Sequence, residues 1–171
     1  MLLALIVKLP FLILLAGSLI AGYQLNKLAN LAPAKYKEAE IRAAYAEKPM
    51  QRINVVLGGK KVSVEVANTL EEQARGLMFR DKLAEDVGML FDFEDVSAHS
   101  MWMRNTTIPL DMVWIGPNFK VVHVEKNVQP CVSITCPSYK SSAPAKYVLE
   151  LNAGWLDKNN IPPNTFVQIP L

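Results

Sequence analysis

Residues 51–67 read QRINVVLGGKKVSVEVA, and this stretch indicates the fold class. Two runs rich in β-branched residues, 51–57 and 60–67, flank Gly58 and Gly59. Adjacent glycines can both adopt the positive φ that a two-residue hairpin turn requires. In the second run valine alternates with polar residues, which is typical of a strand with one buried face. The stretch therefore predicts a β-hairpin that is half buried.

Short strands continue along the chain and are interrupted by two helix signals. Thr69-Leu70-Glu71-Glu72 has the form of a capping box and predicts a short helix that ends near Gly76. A second short helix is predicted over 154–159. The other predicted strands are 88–93, 99–103, 110–115, 120–128, 147–151 and 165–169. This pattern predicts a mainly β (α+β) domain, a compact and mainly antiparallel barrel or sandwich with two short helices.

The first 28 residues are far more apolar than the rest of the chain. Residues 9–25 read LPFLILLAGSLIAGYQL and carry no formal charge. About 17–20 apolar residues are enough to span a bilayer, so a transmembrane anchor over 1–28 is expected. The alternative is a cleaved signal peptide, with the small residues 16–18 at the cleavage site.

A charged segment separates this apolar region from the predicted domain. Residues 35–48 read KYKEAEIRAAYAEK and predict a helical stalk within 29–49, followed by a globular domain over 50–171. An anchor, a stalk and a small domain are the usual plan of an accessory subunit of a membrane complex. Small residues in the span would let a partner helix approach, although a plain tether is equally compatible with them. These are Gly17, Ser18, Ala21 and Gly22.

The charge balance argues against binding to nucleic acid. Residues 1–48 contain six Lys and Arg against three Asp and Glu, whereas residues 49–171 contain twelve against thirteen. A nearly neutral domain with scattered cations lacks the basic patch that a nucleic-acid binder presents.

Cys131 and Cys136 are separated by four residues in the segment QPCVSITCPSY. Close spacing, flanking prolines and an export signal favour a local disulfide, which would place the domain on the oxidising side of the membrane. Free thiols and a metal half-site are the alternatives. A metal site would need further ligands, and only His99 and His123 are available.

The segment 101–111, MWMRNTTIPLD, contains the best candidates for a binding site. Trp102 could form the floor of a pocket in which Asn105 and Asp111 supply polar groups to a sugar-like or peptide-like ligand. Arg75, Arg80 or Arg104 could supply a cation, and Glu150 is a weaker candidate. The alternative is a strand, a turn and another strand, in which the carboxylate satisfies turn amides.

Two further functions are compatible with the residues. Asp111 and Glu150 could form a general acid and base pair that acts on a glycan or peptide. His99, Met101 and Met103 alternate along one predicted strand and could bind Cu(I), which prefers thioether and imidazole ligands. The chain lacks the common hydrolase and phosphate-loop motifs, so no cofactor is expected and binding is favoured over catalysis.

Four short sequence motifs follow one another along the predicted domain. They are GLMFR at 76–80, GMLF at 88–91, WMRNTTIPLD at 102–111 and YVLELNAG at 147–154. In order and spacing they resemble the bacterial and archaeal domain-of-unknown-function family 192, over roughly residues 50–171. The resemblance implies a small β-rich domain, often exported, and no established reaction. Met101 departs from the aromatic residue expected in that family.

Together these observations predict a single-pass protein of the inner or cytoplasmic membrane. Its β-rich domain is expected on the periplasmic or extracytoplasmic side. The expected role is that of a binding module, either an accessory subunit or a small-ligand-binding domain.

Overall fold

The computed structural model describes residues 49–133 and 135–170. The predicted anchor and nearly all of the predicted stalk lie outside these residues and remain predictions. Within the described ranges, no helix is both long and apolar enough to cross a membrane.

The described residues form nine strands and two short helices. The strands are β1 (Arg52–Leu57), β2 (Lys60–Ala67), β3 (Val87–Ser97), β4 (Ser100–Trp102), β5 (Leu110–Ile115), β6 (Val121–Val128), β7 (Ser138–Lys140), β8 (Ala145–Asn152) and β9 (Val167–Gln168). The helices are α1 (Leu70–Arg75) and α2 (Trp155–Lys158). The strands and helices predicted from the sequence are found at these places, with shifts of a few residues at their ends.

Seven strands form one curled, half-barrel sheet in the order β6-β5-β8-β3-β2-β1-β9. The two edges of the sheet, β6 and β9, approach each other. Lys120, just before β6, forms an isolated antiparallel β-bridge with Phe166, just before β9. Of the two architectures that were predicted, the structure therefore has the barrel-like one.

One strand pair departs from the expected antiparallel pattern. β2 and β3 are parallel, whereas the other neighbouring strands of the sheet are antiparallel. Parallel neighbours need a crossover connection, because the chain must return to the same end of the sheet. The segment that contains α1 provides this crossover, and it carries α1 over one face of the sheet.

Local sequence signals explain the hairpin and the first helix. Gly58 and Gly59 have φ of 58° and 77°, as the predicted hairpin turn requires, and β1 pairs with β2. Thr69 and Glu72 form the predicted capping box at the start of α1. Gly76 ends the helix with a φ of 49°. These predictions are confirmed.

The sheet has a hydrophobic core on each face. The first core contains Met89, Phe91, Met103, Met112 and Trp114, among others. The second core contains Val64, Leu90, Val113, Leu149 and Leu156, among others. Because both faces of the sheet are covered, every residue of β5 is buried.

β4 and β7 form a separate two-stranded sheet, and Met101 of β4 packs in the first core. The predicted disulfide between Cys131 and Cys136 is present and closes a short loop before β7. The backbone of Cys131 also forms isolated β-bridges with Arg104 and Thr106, which follow β4. The disulfide loop therefore contacts the segment that contains the MWMRNTTIPLD motif through backbone pairing.

Candidate functional site

A small pocket of about 90 Å³ lies between α1, β4 and the sheet. One side consists of the end of α1 and the residues that follow it. The other sides come from β3, β4, the turn after β4, and β8. The lining residues are Gln73, Ala74, Arg75, Gly76, Leu77, Met78, Phe91, Phe93, Ser100, Met101, Trp102, Arg104, Thr106 and Glu150.

Glu150 is the acidic residue of this lining. It lies in the middle of β8, opposite Met89 of β3 and Met112 of β5, and is only 3% exposed. No described residue forms a hydrogen bond or an ion pair with its carboxyl group. Burial raises the pKa of Glu150 from 4.5 to about 8. The group is therefore mainly protonated at neutral pH and can donate a hydrogen bond into the pocket.

Glu65 provides an internal comparison for Glu150. It lies on the same face of the sheet, because Met89 pairs with Glu65 on one side and with Glu150 on the other. It is also buried, at 8% exposed. Arg52 and Arg80, however, both form ion pairs with its carboxylate. One buried glutamate is thus neutralised by arginines, and the other faces a pocket.

Two arginines and a tryptophan also line the pocket. Arg75 is buried at the end of α1, whereas Arg104 is exposed after β4. The Arg104 guanidinium lies over the Trp102 ring at 5.6 Å from its centroid. Trp102 is 48% exposed, so it lies at the rim of the pocket and does not form the predicted floor.

Asp111 is placed differently from the prediction that groups it with Trp102. It is fully buried and does not line the pocket. Its carboxylate accepts hydrogen bonds from the backbone amides of Asn127 (2.9 Å), Gly154 (3.1 Å) and Leu156 (3.0 Å). This arrangement corresponds to the alternative in which Asp111 satisfies backbone amides around turns.

The proposed acid and base pair of Asp111 and Glu150 is not formed. Asp111 pairs with Leu151, and Glu150 pairs with Met112. Side chains alternate between the two faces along a strand, so the two carboxyl groups lie on opposite faces of the sheet. The physical reason is a register offset of one residue, which the sequence could not reveal.

Asn105 and Arg80 also lie outside the pocket lining. Asn105 has a φ of 54°, its amide donates to the Cys131 carbonyl, and its carbonyl accepts from the Phe79 amide. It therefore holds a turn together, which is the other alternative considered for it. Arg80 forms the ion pair with Glu65.

The residues of the copper hypothesis are engaged in packing. The His99 ring stacks on Phe93 with a centroid distance of 3.7 Å. Met101 and Met103 belong to the first core, and Met103 is completely buried. β4 covers only 100–102, so the three residues do not share one regular strand. In the described part of the chain, no cluster of three or more His, Cys, Asp or Glu could hold a metal ion.

The main contribution that sequence reasoning missed is the wall made by α1 and β3. Residues 73–78 are distant from the 101–111 segment in the chain, and of this wall only Arg75 was named as a candidate, whereas Phe91 and Phe93 of β3 lie closer in the chain. The motif GLMFR at 76–80 contains part of this wall. The motif alone did not indicate that it would face the 101–111 segment.

Comparisons with known proteins agree with the fold. The chain is 32% identical to a Sinorhizobium meliloti 1021 protein proposed to be a transcription regulator, with a TM-score of 0.64, covering 71% of this chain and 96% of that one. It is also 32% identical to a protein of unknown function from Novosphingobium aromaticivorans DSM 12444, with a TM-score of 0.64, covering 70% and 86%. No curated protein matches the chain.

The model of one protein family matches residues 52–169, which is nearly all of the described domain. That family is domain-of-unknown-function family 192, described as an uncharacterized ACR. The chain belongs to this family.

Proposed function

We propose that the β-rich domain binds a small molecule in the pocket beneath α1 and β4, with Glu150 as the central contact. The observation that carries the proposal is that Glu150 is only 3% exposed and lines a pocket, while its carboxyl group has no hydrogen-bond or ion-pair partner among the described residues. A partner from outside the chain would satisfy it.

The energetic cost of this arrangement supports a binding role. Burial of a carboxyl group without a partner costs free energy whether the group is neutral or charged. Met89 and Met112 flank Glu150 across the sheet, so an apolar residue would suit the position. Titratable groups that face pockets and have strongly shifted pKa values occur often at functional sites.

Binding is a better description than catalysis for this pocket. Among the described residues of its lining, Glu150 is the one carboxylic acid, and Asp111 lies on the opposite face of the sheet. A general acid needs a second group to act as base or nucleophile. The other charged residues of the described lining are two arginines, whose guanidinium groups are suited to binding a ligand by hydrogen bonds and charge.

A fragment screen by two-dimensional NMR on the detergent-solubilised full chain tests the proposal. Cationic, neutral and anionic single-ring fragments would be compared. We expect saturable shifts of amides in 73–78 and 101–106. Glu150→Leu should abolish these shifts and leave the melting temperature equal or higher, because it removes a buried polar group.

Glu65→Leu is the matched control, since Glu65 is a buried glutamate on the same face. It should lower the melting temperature, because it leaves Arg52 and Arg80 without their partner, and it should retain fragment binding. Arg80→Gln should also retain binding. If no fragment shifts the pocket amides, or if Glu150→Leu binds fragments as the wild type does, the pocket is not a binding site.

The second part of the proposal concerns location. The apolar run at 9–25 supports a membrane tether that holds the domain on the extracytoplasmic side, where a disulfide can persist. Purification of the full chain in mild detergent, followed by mass spectrometry, tests for a partner complex. A stoichiometric membrane partner that is lost on deletion of residues 1–48 is the expected result. Recovery of the protein from the soluble fraction would refute the tether.

The balance of charge leads us to propose that this domain does not bind nucleic acid. The relative from S. meliloti is proposed to be a transcription regulator. In this chain, residues 49–171 carry twelve Lys and Arg against thirteen Asp and Glu, so the domain lacks an excess of cations to neutralise phosphates. A filter-binding assay with duplex DNA at low salt should therefore show no retention.

A further inference from the structure

Resting on the proposed binding function, we propose that the ligand is a small organic anion, specifically a carboxylate attached to a flat or short apolar body. The pocket places two guanidinium groups and one buried carboxyl group around apolar walls. The charges of the pocket determine the preferred charge of the ligand, its hydrogen-bond donors determine the functional group, and its walls limit the size.

The charge of the pocket favours an anion. Among the described residues of its lining, the charged or titratable ones are Arg75, Arg104 and Glu150. The strands beside Glu150 present Met89 and Met112 to it, which do not titrate. Glu65, two strands away on the same face, is already paired with Arg52 and Arg80. With Glu150 protonated, the described residues of the lining therefore have a positive net charge, which attracts anions and disfavours cations.

The functional group follows from hydrogen bonding. A protonated carboxyl group donates one hydrogen bond, and a carboxylate is a strong acceptor for it. A guanidinium donates in a planar fork that fits the two oxygens of a carboxylate. The pocket thus offers a carboxylic acid donor at Glu150 and, at the exposed Arg104, a guanidinium donor.

The walls determine the rest of the ligand. Phe91 and Met101 belong to the first core, Phe93 packs against it, and Trp102 adds an aromatic surface at the rim. Flat rings pack well against such side chains. A pocket of about 90 Å³ admits a single ring or a short chain but not an oligosaccharide, so the sugar-like ligand considered from the sequence is disfavoured.

The protonation state of Glu150 gives this proposal a distinctive pH dependence. Glu150 is protonated below its pKa of about 8 and becomes an anion above it. An anionic ligand loses its donor and meets a like charge once Glu150 ionises, so its affinity should fall between pH 7 and pH 9. A cationic ligand would show the opposite trend.

The test compares benzoate with benzamide and benzylamine, which share a ring and differ in charge. Binding to the detergent-solubilised full chain is followed by amide shifts in two-dimensional NMR at pH 7 and pH 9. We expect benzoate to bind at least roughly tenfold more tightly than the other two at pH 7. Its affinity should fall roughly tenfold at pH 9, where Glu150 is ionised.

Two variants make the result specific. Glu150→Gln retains a donor that cannot ionise, so it should still bind benzoate at pH 7 but lose most of the difference between pH 7 and pH 9. Arg104→Gln should weaken benzoate binding roughly tenfold, whereas Lys120→Gln, an exposed cation outside the lining, should have no effect.

The outcomes separate this inference from the binding function on which it rests. Preferential binding of benzamide or benzylamine at the same amides would overturn the anion proposal and leave the binding site intact. Benzoate binding that is equal at pH 7 and pH 9 would remove the role assigned to Glu150. If none of the three probes shifts the pocket amides while another fragment of the screen does, the carboxylate class is wrong. If no fragment does so, both proposals fail.

Discussion

Asp111 and Glu150 lie on the neighbouring strands β5 and β8 one residue out of register, so their carboxyl groups point to opposite faces of the sheet. Asp111 accepts three backbone hydrogen bonds on its face, whereas Glu150 faces a pocket on the other. Two acidic residues that are close in space therefore have different roles, one structural and one suited to binding.

Replacement of Asp111 by alanine should destabilise the domain severely. It would leave three backbone amides without an acceptor, at Asn127, Gly154 and Leu156. We expect a loss of roughly 3–5 kcal/mol in the free energy of unfolding, measured by urea denaturation. Asp157→Ala is the control, because Asp157 pairs with Lys126 at the surface and should contribute little. A melting temperature of Asp111→Ala within a few degrees of the wild type would contradict this structural role.

Glu150 should make the domain less stable as the pH rises from about 5 to 8. Its pKa is raised to about 8 in the folded state, whereas the unfolded chain has the ordinary value of 4.5. Between these values the unfolded state has released the proton and the folded state has kept it, so an increase in pH favours unfolding. The maximal slope from this group is about 1.4 kcal/mol per pH unit.

The measurement for that prediction is a series of urea denaturation curves from pH 5 to pH 8 for the wild type and Glu150→Gln. The difference in unfolding free energy between the two proteins should shift steadily in favour of Glu150→Gln as the pH rises. A difference that is independent of pH would show that Glu150 ionises normally in the folded state.

Loss of the disulfide should act mainly on the segment that follows β4. Cys131 bridges Arg104 and Thr106, and its carbonyl accepts from the Asn105 amide. The closed loop is short, so Cys131→Ser combined with Cys136→Ser should cost only about 2 kcal/mol. NMR should show changed amide signals over 104–106 and unchanged signals in the β1–β2 hairpin. A uniform change over the whole domain would contradict this local role.

Gly88→Ala should be more damaging than Gly116→Ala. A Cβ at Gly88 would lie 2.5 Å from the Glu150 carbonyl oxygen and 2.9 Å from a Leu151 methyl group. The first of these is backbone in the middle of the sheet, so the strands must separate, and we expect a loss of at least about 2 kcal/mol. At Gly116 the two nearest atoms belong to the side chains of Asn118 and Val122, at 3.1 and 3.2 Å, and these can adjust. Thermal denaturation of both variants makes the comparison, and equal melting temperatures would contradict it.

The local elements were predictable because their signals are contained in a few consecutive residues. Paired glycines define the hairpin turn, Thr69 and Glu72 define a helix start, and alternating valines define a buried strand face. The disulfide was also predictable, since only two cysteines exist and they are close in the chain. None of these features depends on the position of distant segments.

The site could be predicted only in part, because its residues come from distant segments. Trp102 and Glu150 were recognised as candidates, as were Arg75 and Arg104 as possible cations, and all four line the pocket. The sequence could not show that Trp102 would lie at the rim, or that Glu150 would point inward beside an apolar wall supplied by β3.

The sequence by itself determined the β-rich composition of the domain, its turns, its disulfide and its family, because each of these depends on local residue types or motif order. The tertiary structure decided the parallel pairing of β2 with β3, the covering of the sheet by α1, and the register between β5 and β8. That register assigned Asp111 and Glu150 to opposite faces. A shift of one residue reverses the face of a side chain, and only the packing of both faces of the sheet specifies it.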